Sequence, residues 1–311
     1  MRTQVLDDQS APGFGDRLAS AVRRRESAIA VGLDPDPARL WRGGVAVPPG
    51  ADPARAAASA VADHCRRVLD ATAPACVAVK LQSASFERLG PDGLRALRDV
   101  AEHARSLDLL VLLDAKRGDI DVSAAAYAAA AFDGVDTPWG PVPGTAADAV
   151  TVAPYMGRDS VRPFVDAGRA SGGGVFVLVR TSNPGAADLQ EHPMEDGEPV
   201  WARVARMVAD LGAPSVAGTA PISDVGAVVG ATAPERLRRL RELMPSTPFL
   251  LPGVGAQGGR VEDLAAAFAP GPGSAIVTAS RSVVGAGDGD DDPAPAARRA
   301  AEELRALAAA L

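Results

Sequence analysis

Eight short apolar runs, each followed by a segment with helical patterning, limit what this 311-residue chain can fold into. The runs fall near 27–33, 76–80, 108–113, 148–152, 174–179, 225–231, 248–251 and 274–278. The helical segments after them fall near 53–71, 91–106, 121–131, 160–170, 198–211, 234–244, 261–268 and 293–311. A short amphipathic helix near 14–26 precedes the first run. Strands that alternate with helices predict a parallel sheet, because parallel neighbours need a crossover and the helix supplies it. The runs are continuously apolar, as strands buried on both faces are. Eight repeats are the number that a closed (β/α)8 barrel requires. The reading is therefore α/β: a single-domain TIM barrel over 13–311, with a loose tail at 1–12. An open doubly wound sheet is the alternative.

Composition narrows the function classes. Aromatic residues make up only 4% of the chain, so the core must be built from Val, Leu, Ala and Ile. A net charge of −7 argues against a nucleic-acid surface, which needs a basic face. A local cluster of donors can still bind an anionic small molecule. Cys65 and Cys76 lack metal-ligand spacing and read as buried thiols in a reducing compartment. No apolar run reaches membrane-spanning length and the first residues lack a signal-peptide core, so the expected setting is cytoplasmic, with no membrane partner. His64, His103 and His192 are scattered, and no metal site is expected. Trp139 and Tyr155 read as packing residues. Segments 132–145 and 181–197 read as long loops, and 285–292 as an acidic, glycine-rich linker without the spacing of a calcium loop.

In a barrel, working residues sit at the C-terminal ends of the strands. Here those ends carry Asp34, Lys80, Asp114 with Lys116 and Asp119, Thr151, Ser182 with Asn183, the loop from Gly253, and Arg281. The segment Asp114-Ala115-Lys116-Arg117-Gly118-Asp119 packs two carboxylates and an ammonium behind a strand that reads as fully buried. Taken by itself, it suits an ion pair capping the next helix equally well. The cation usage favours chemistry: the chain has 30 arginines and only two lysines, Lys80 and Lys116, and both follow apolar runs. An ammonium can be tuned to hand over a proton, whereas a guanidinium stays charged.

Gly253-Val254-Gly255-Ala256-Gln257-Gly258-Gly259 fits a dinucleotide fingerprint by spacing but follows the seventh run, not the first. It reads better as a phosphate cradle of backbone N–H groups at a helix start, with Arg281 after the eighth run adding a charge-assisted contact. A tight turn and a surface arginine are the plainer reading. Asp34 is placed either to cap a turn before Pro35 or to accept hydrogen bonds from sugar hydroxyls. Ser182 and Asn183 offer groups that read a heterocycle's edge, or simply form a turn with Pro184.

Together these segments resemble the orotidine 5′-phosphate decarboxylase family, in its longer bacterial branch. The matching stretches are VGLDPDP at 31–37, VKLQSASFE at 79–87, LLDAKRGDI at 112–120, DAVTVAPYMG at 148–157, VRTSNPGAADLQ at 179–190, VGAVVGAT at 225–232, LPGVGAQGG at 251–259 and SRSV at 280–283. Leu81 and Ala153 depart from the pattern, where proline and a polar residue are expected. The resemblance implies cofactor-free decarboxylation of orotidine 5′-monophosphate to uridine 5′-monophosphate. It makes Lys80, Asp114, Lys116 and Asp119 a Lys-Asp-Lys-Asp array, with Lys116 stabilising and protonating the carbanion. It implies that Asp119 reaches a neighbouring subunit's site, hence a homodimer with shared active sites. Asp34 and Lys80 would bind ribose, Ser182 the pyrimidine, and Gln257 would bridge base and phosphate. Gly255, Gly258 and Arg281 would hold the phosphate. A related sugar-phosphate decarboxylase or epimerase, or a non-catalytic nucleotide-binding module, are the competing functions.

Overall fold

The structure is a computed structural model that describes residues 12–44, 50–215, 222–255 and 257–311. Eight parallel strands close into a barrel: β1 (Ile29–Leu33), β2 (Ala78–Gln82), β3 (Leu110–Arg117), β4 (Ala149–Val152), β5 (Gly174–Arg180), β6 (Val225–Val229), β7 (Phe249–Leu251) and β8 (Ala275–Ala279). Each strand lies beside its neighbours in sequence, and β8 closes onto β1 with Ile29 opposite Val277. Around them run α1 (Phe14–Arg25), α2 (Pro53–Thr72), α3 (Gly90–Ser106), α4 (Asp121–Ala131), α5 (Arg158–Ala170), α6 (Val200–Gly212), α7 (Leu237–Leu243) and α8 (Ala294–Ala309). The segment read as an N-terminal tail lies, apart from Pro12, outside the described residues.

Two apolar layers follow from the strand period of two. Outward-facing strand residues pack on the helices, with Val31, Val79, Val111, Val177 and Val277 all fully buried there. Inward-facing Ala30, Ala78, Leu110, Leu112, Ala149, Phe176, Val228, Leu250 and Ile276 fill the barrel itself. Phe14 and Leu18 of α1 join this inner cluster, and Phe14 meets Phe176 edge-on at 5.8 Å. The helix thus plugs the N-terminal end of the barrel. Its phenylalanine fits because Gly174 has no Cβ, which would stand 2.4 Å from the Phe14 ring.

Arg241 holds the same end together. It is buried on α7 and donates to the carbonyls of Met244 (2.9 Å), Thr247 (2.7 Å), Ala267 (2.7 Å) and Ser274 (3.0 Å). Its guanidinium lies 3.8 Å from the centre of the Phe249 ring. It therefore ties the approaches to β7 and β8 to α7 without a carboxylate partner among the described residues.

Segments 132–145, 181–197 and 261–268 differ from the sequence reading, and 181–197, read as a loop, holds a helical turn at Ala186–Leu189. The stretch 132–145 contains an antiparallel hairpin, Val135–Thr137 with Gly140–Val142. Trp139 at its tip is 93% exposed and Tyr155 is 83% exposed, so neither packs inside this chain as expected. The helix after the glycine-rich loop is only a 3-10 turn, Val261–Leu264, and one α-turn, Ala265–Phe268.

Candidate active site

The inward positions that are apolar low in the barrel become polar at its C-terminal mouth. On β2 the pair is Ala78 then Lys80; on β3, Leu112 then Asp114; on β4, Ala149 then Thr151; on β8, Ile276 then Thr278. These residues form the floor of a cavity of about 520 Å³, a size suited to a nucleotide-sized ligand. Asp34, Lys116, Ser182, Gln257 and Arg281 stand in its walls.

Asp114 is the hub. Its Oδ2 accepts from Lys80 Nζ at 2.8 Å and, weakly, from Gln82 Nε2 at 3.4 Å. Its Oδ1 accepts from Lys116 Nζ at 2.6 Å and from the Thr151 hydroxyl at 2.9 Å. Burial pushes the Asp114 carboxyl up, but the Lys80 and Lys116 charges and their hydrogen bonds outweigh it and hold the group down at about 2. The carboxylate is thus ionised at any working pH and keeps both amines in place. Lys80 is buried, whereas the Lys116 side chain is 43% exposed and reaches the open cavity. Of the two amines, Lys116 is the one that a substrate can approach freely.

The backbone around Lys116 is bent to achieve this. Pairing of β3 with β4 runs Leu113 to Val150 and resumes at Arg117 to Val152, so β3 holds two extra residues there. Lys116 takes a left-handed φ of +47°, a conformation that costs a non-glycine residue on the order of 1 kcal/mol. Thr151 stabilises the bulge, since its hydroxyl accepts the Lys116 N–H at 2.9 Å while donating to Asp114. Thr151 stood at a strand end in the sequence, but nothing there showed that it joins the bulge to the hub.

The remaining candidates divide. Asp34, the Ser182 hydroxyl, Gln257 and the Arg281 guanidinium face the cavity without an ion pair to any described residue, so their bonding capacity is open to a ligand. Close approach of two loops depends on glycine: a Cβ on Gly253 would stand 3.0 Å from Gln257 Oε1 and 3.3 Å from Ser182 Cβ. Gly255 and Gly258 do not line the cavity. Their N–H groups donate within the turn, to the carbonyls of Gly259 (2.9 Å) and Gly255 (2.8 Å). The glycines shape the turn that carries Gln257; those N–H groups are not free as a cradle. Asp119 also stands outside the cavity lining, with its Oδ1 accepting the Ile120 N–H at 2.8 Å.

Sequence reasoning missed Gln190. Its amide clamps the loop that carries Ser182, accepting the Thr181 N–H at 2.8 Å and donating to Thr181 Oγ1 at 2.8 Å. Nearby Glu191 takes Arg180 Nε at 3.0 Å, Arg236 Nε at 2.8 Å and the Trp201 indole at 3.0 Å. No periodic pattern connects these residues, so only the loop's folded path reveals the clamp.

Residues 27–300 match the model of the orotidine 5′-phosphate decarboxylase / HUMPS family. The chain is 40% identical over 276 residues to the orotidine 5′-phosphate decarboxylase of Rhodopirellula baltica, covering 87% of this chain and 88% of that protein. It is 42% identical over 274 residues to that of Haloarcula marismortui, covering 88% and 87%. Among solved structures, a putative orotidine 5′-phosphate decarboxylase from Streptomyces avermitilis superimposes with a TM-score of 0.76 at 35% identity, over 96% of this chain and 97% of the other.

Proposed function

We propose that this chain, which belongs to the orotidine 5′-phosphate decarboxylase family, converts orotidine 5′-monophosphate to uridine 5′-monophosphate and carbon dioxide without a cofactor. The observation that carries the reading is the Lys80–Asp114–Lys116 cluster at the floor of a nucleotide-sized cavity. When the C6–carboxylate bond breaks, its electron pair stays on C6, in the plane of the ring, where no neighbouring group spreads the charge. The Lys116 ammonium beside C6 stabilises that charge as it forms and then donates a proton to the carbon, leaving a neutral amine that water reprotonates. Asp114 keeps the amine oriented between turnovers. Both Asp114 oxygens already accept from ammonium groups, which leaves a metal ion no place on this carboxylate and speaks against a metal-dependent sugar-phosphate enzyme.

The family resemblance supports the substrate roles, and the side chains that it names line the same cavity. Asp34 and Lys80 meet the ribose hydroxyls, Ser182 the pyrimidine, and Gln257 spans base and phosphate. Arg281 pairs with the phosphate dianion, with Gly255 and Gly258 shaping the turn beside it. Because the phosphate lies away from the reacting carbon, its binding energy is available to desolvate the site.

The same proposal includes a homodimer in which Asp119 serves the partner's site. Ile120 and Val122, next to Asp119, expose 47% and 84% of their surface, and Met156 of the adjoining loop, 43% exposed, lies against Gly118. Ile120, Val122 and Met156 make an apolar surface of the kind that a second copy covers. A cytoplasmic setting accords with Cys65 and Cys76, buried thiols left unpaired, and with the absence of any described helix long and apolar enough to cross a membrane.

Two measurements test the reading. Mixing the protein with orotidine 5′-monophosphate should release one carbon dioxide per uridylate formed, undiminished by EDTA; no turnover, or loss of turnover with EDTA, would overturn it. Mixing inactive Lys116→Ala and Asp119→Ala proteins should restore partial activity through one complete hybrid site. Verified subunit exchange with no recovery would remove Asp119 from a shared site.

A further inference from the structure

A second cavity, of about 210 Å³, opens behind Arg281, lined among others by Leu33, Asp34, Trp41, His64, Arg281 and Val284. Arg281 begins a single helical turn, Arg281–Val284, directly after β8. One end of that turn is fixed by packing, since Ser280 sits where a Cβ on Gly32 would stand 2.0 Å from its Oγ. At the other end Val283 is buried in the core, while Val284, half-buried, borders the cavity.

A hydrogen bond adds to the packing on the cavity side. The Trp41 indole Nε1 donates to the carbonyl of Val284 at 2.9 Å, satisfying one of the acceptors that a helical C-terminus leaves open. Trp41 is buried, and its own backbone N–H donates to His64 Nδ1 of α2 at 3.1 Å. The two rings also meet edge-on at 5.5 Å. Burial and the Arg67 charge hold His64 down at about 4, so the ring stays neutral and Nδ1 remains free to accept. One tryptophan therefore joins three pieces of chain: the segment that leaves Asp34, helix α2, and the turn of Arg281.

We propose that Trp41, backed by His64, is a positioning residue for phosphate recognition, holding the Arg281 turn against the cavity so that the guanidinium is aimed before ligand arrives. A preset arginine loses less conformational entropy on binding than a free one. The inference rests on Arg281 being the phosphate contact.

The test is Trp41→Phe, which keeps an aromatic ring against His64 and removes the indole donor. Titration with uridine 5′-monophosphate and with uridine separates the phosphate contribution. The variant should bind the nucleotide roughly five- to tenfold more weakly, the scale of one neutral hydrogen bond, and the nucleoside as tightly as the parent protein does. In an Arg281→Ala background the same substitution should have no further effect on nucleotide affinity. Equal weakening of both ligands, unchanged nucleotide affinity, or full additivity with Arg281→Ala would overturn the inference. If the parent protein itself fails to prefer the nucleotide over the nucleoside, Arg281 is not a phosphate contact and the reading beneath the inference fails.

Discussion

The two ends of the barrel each bury cationic charge, and they do so in opposite ways. At the C-terminal mouth, Lys80 and Lys116 grip Asp114, whose carboxyl falls to about 2 because two ammonium groups favour its charged form. At the N-terminal end, Arg241 is surrounded by neutral carbonyls, and burial lowers it to about 10 because desolvation disfavours its charged form. Both groups move down the scale. For the acid that means its charge is stabilised in the fold; for the base it means the charge is a cost, offset by four hydrogen bonds and the Phe249 ring. The mouth spends structure on reactivity, with a left-handed Lys116 and a bulged strand. The far end uses its charge to join elements and nothing more.

The sharpest way to break this contrast is to cut one residue from each end. Lys116→Ala should lower kcat by three orders of magnitude or more, since stabilisation of the carbanion and its protonation are lost together. Its thermal midpoint should shift by no more than a few degrees. A variant retaining a tenth of parental activity would remove Lys116 from the chemistry. Arg241→Met should do the reverse, costing about 3 kcal/mol in denaturant unfolding as its carbonyls lose their donor. Activity per folded molecule should be unchanged, and a fall in kcat without loss of stability would show that the two ends are coupled.

Acid should expose the smallest difference. The Asp114 carboxyl is lower in the folded chain than its ordinary value near 4, so its contribution is complete above that pH and is lost as pH falls toward 2. That loss amounts to about 2 kcal/mol. His64, held down at about 4, is neutral in the fold, so stability also declines as pH falls from near 6.5 to 4. An Asp114→Asn protein should keep the upper decline and lose the lower one, measured as unfolding free energy against pH. A lower decline that persists would place the acid-sensitive group elsewhere.

Most of the frame was legible along the chain because it is local. Continuous apolar runs such as 174–179 read as strands buried on both faces, and Pro53 at the head of α2 marks a helix start that the structure keeps. The rarity of lysine located two of the three charged groups of the hub before any geometry was known. The hairpin at Trp139 was not legible, since its strands are three residues each and lie amid proline and glycine.

Sequence alone thus determined the eightfold alternation, the polar residues at the strand ends and the family to which they point, because hydrophobic period and residue type are properties of neighbours. Tertiary structure alone decided how those residues meet. It set Thr151 between the Lys116 backbone and Asp114, turned the Gly255 and Gly258 N–H groups back into their own loop, and hung Arg241 among four carbonyls. Each of these joins groups that are distant in the chain or fixed by one bend of its backbone, and hydrogen-bond direction is settled only when both partners have a place in space.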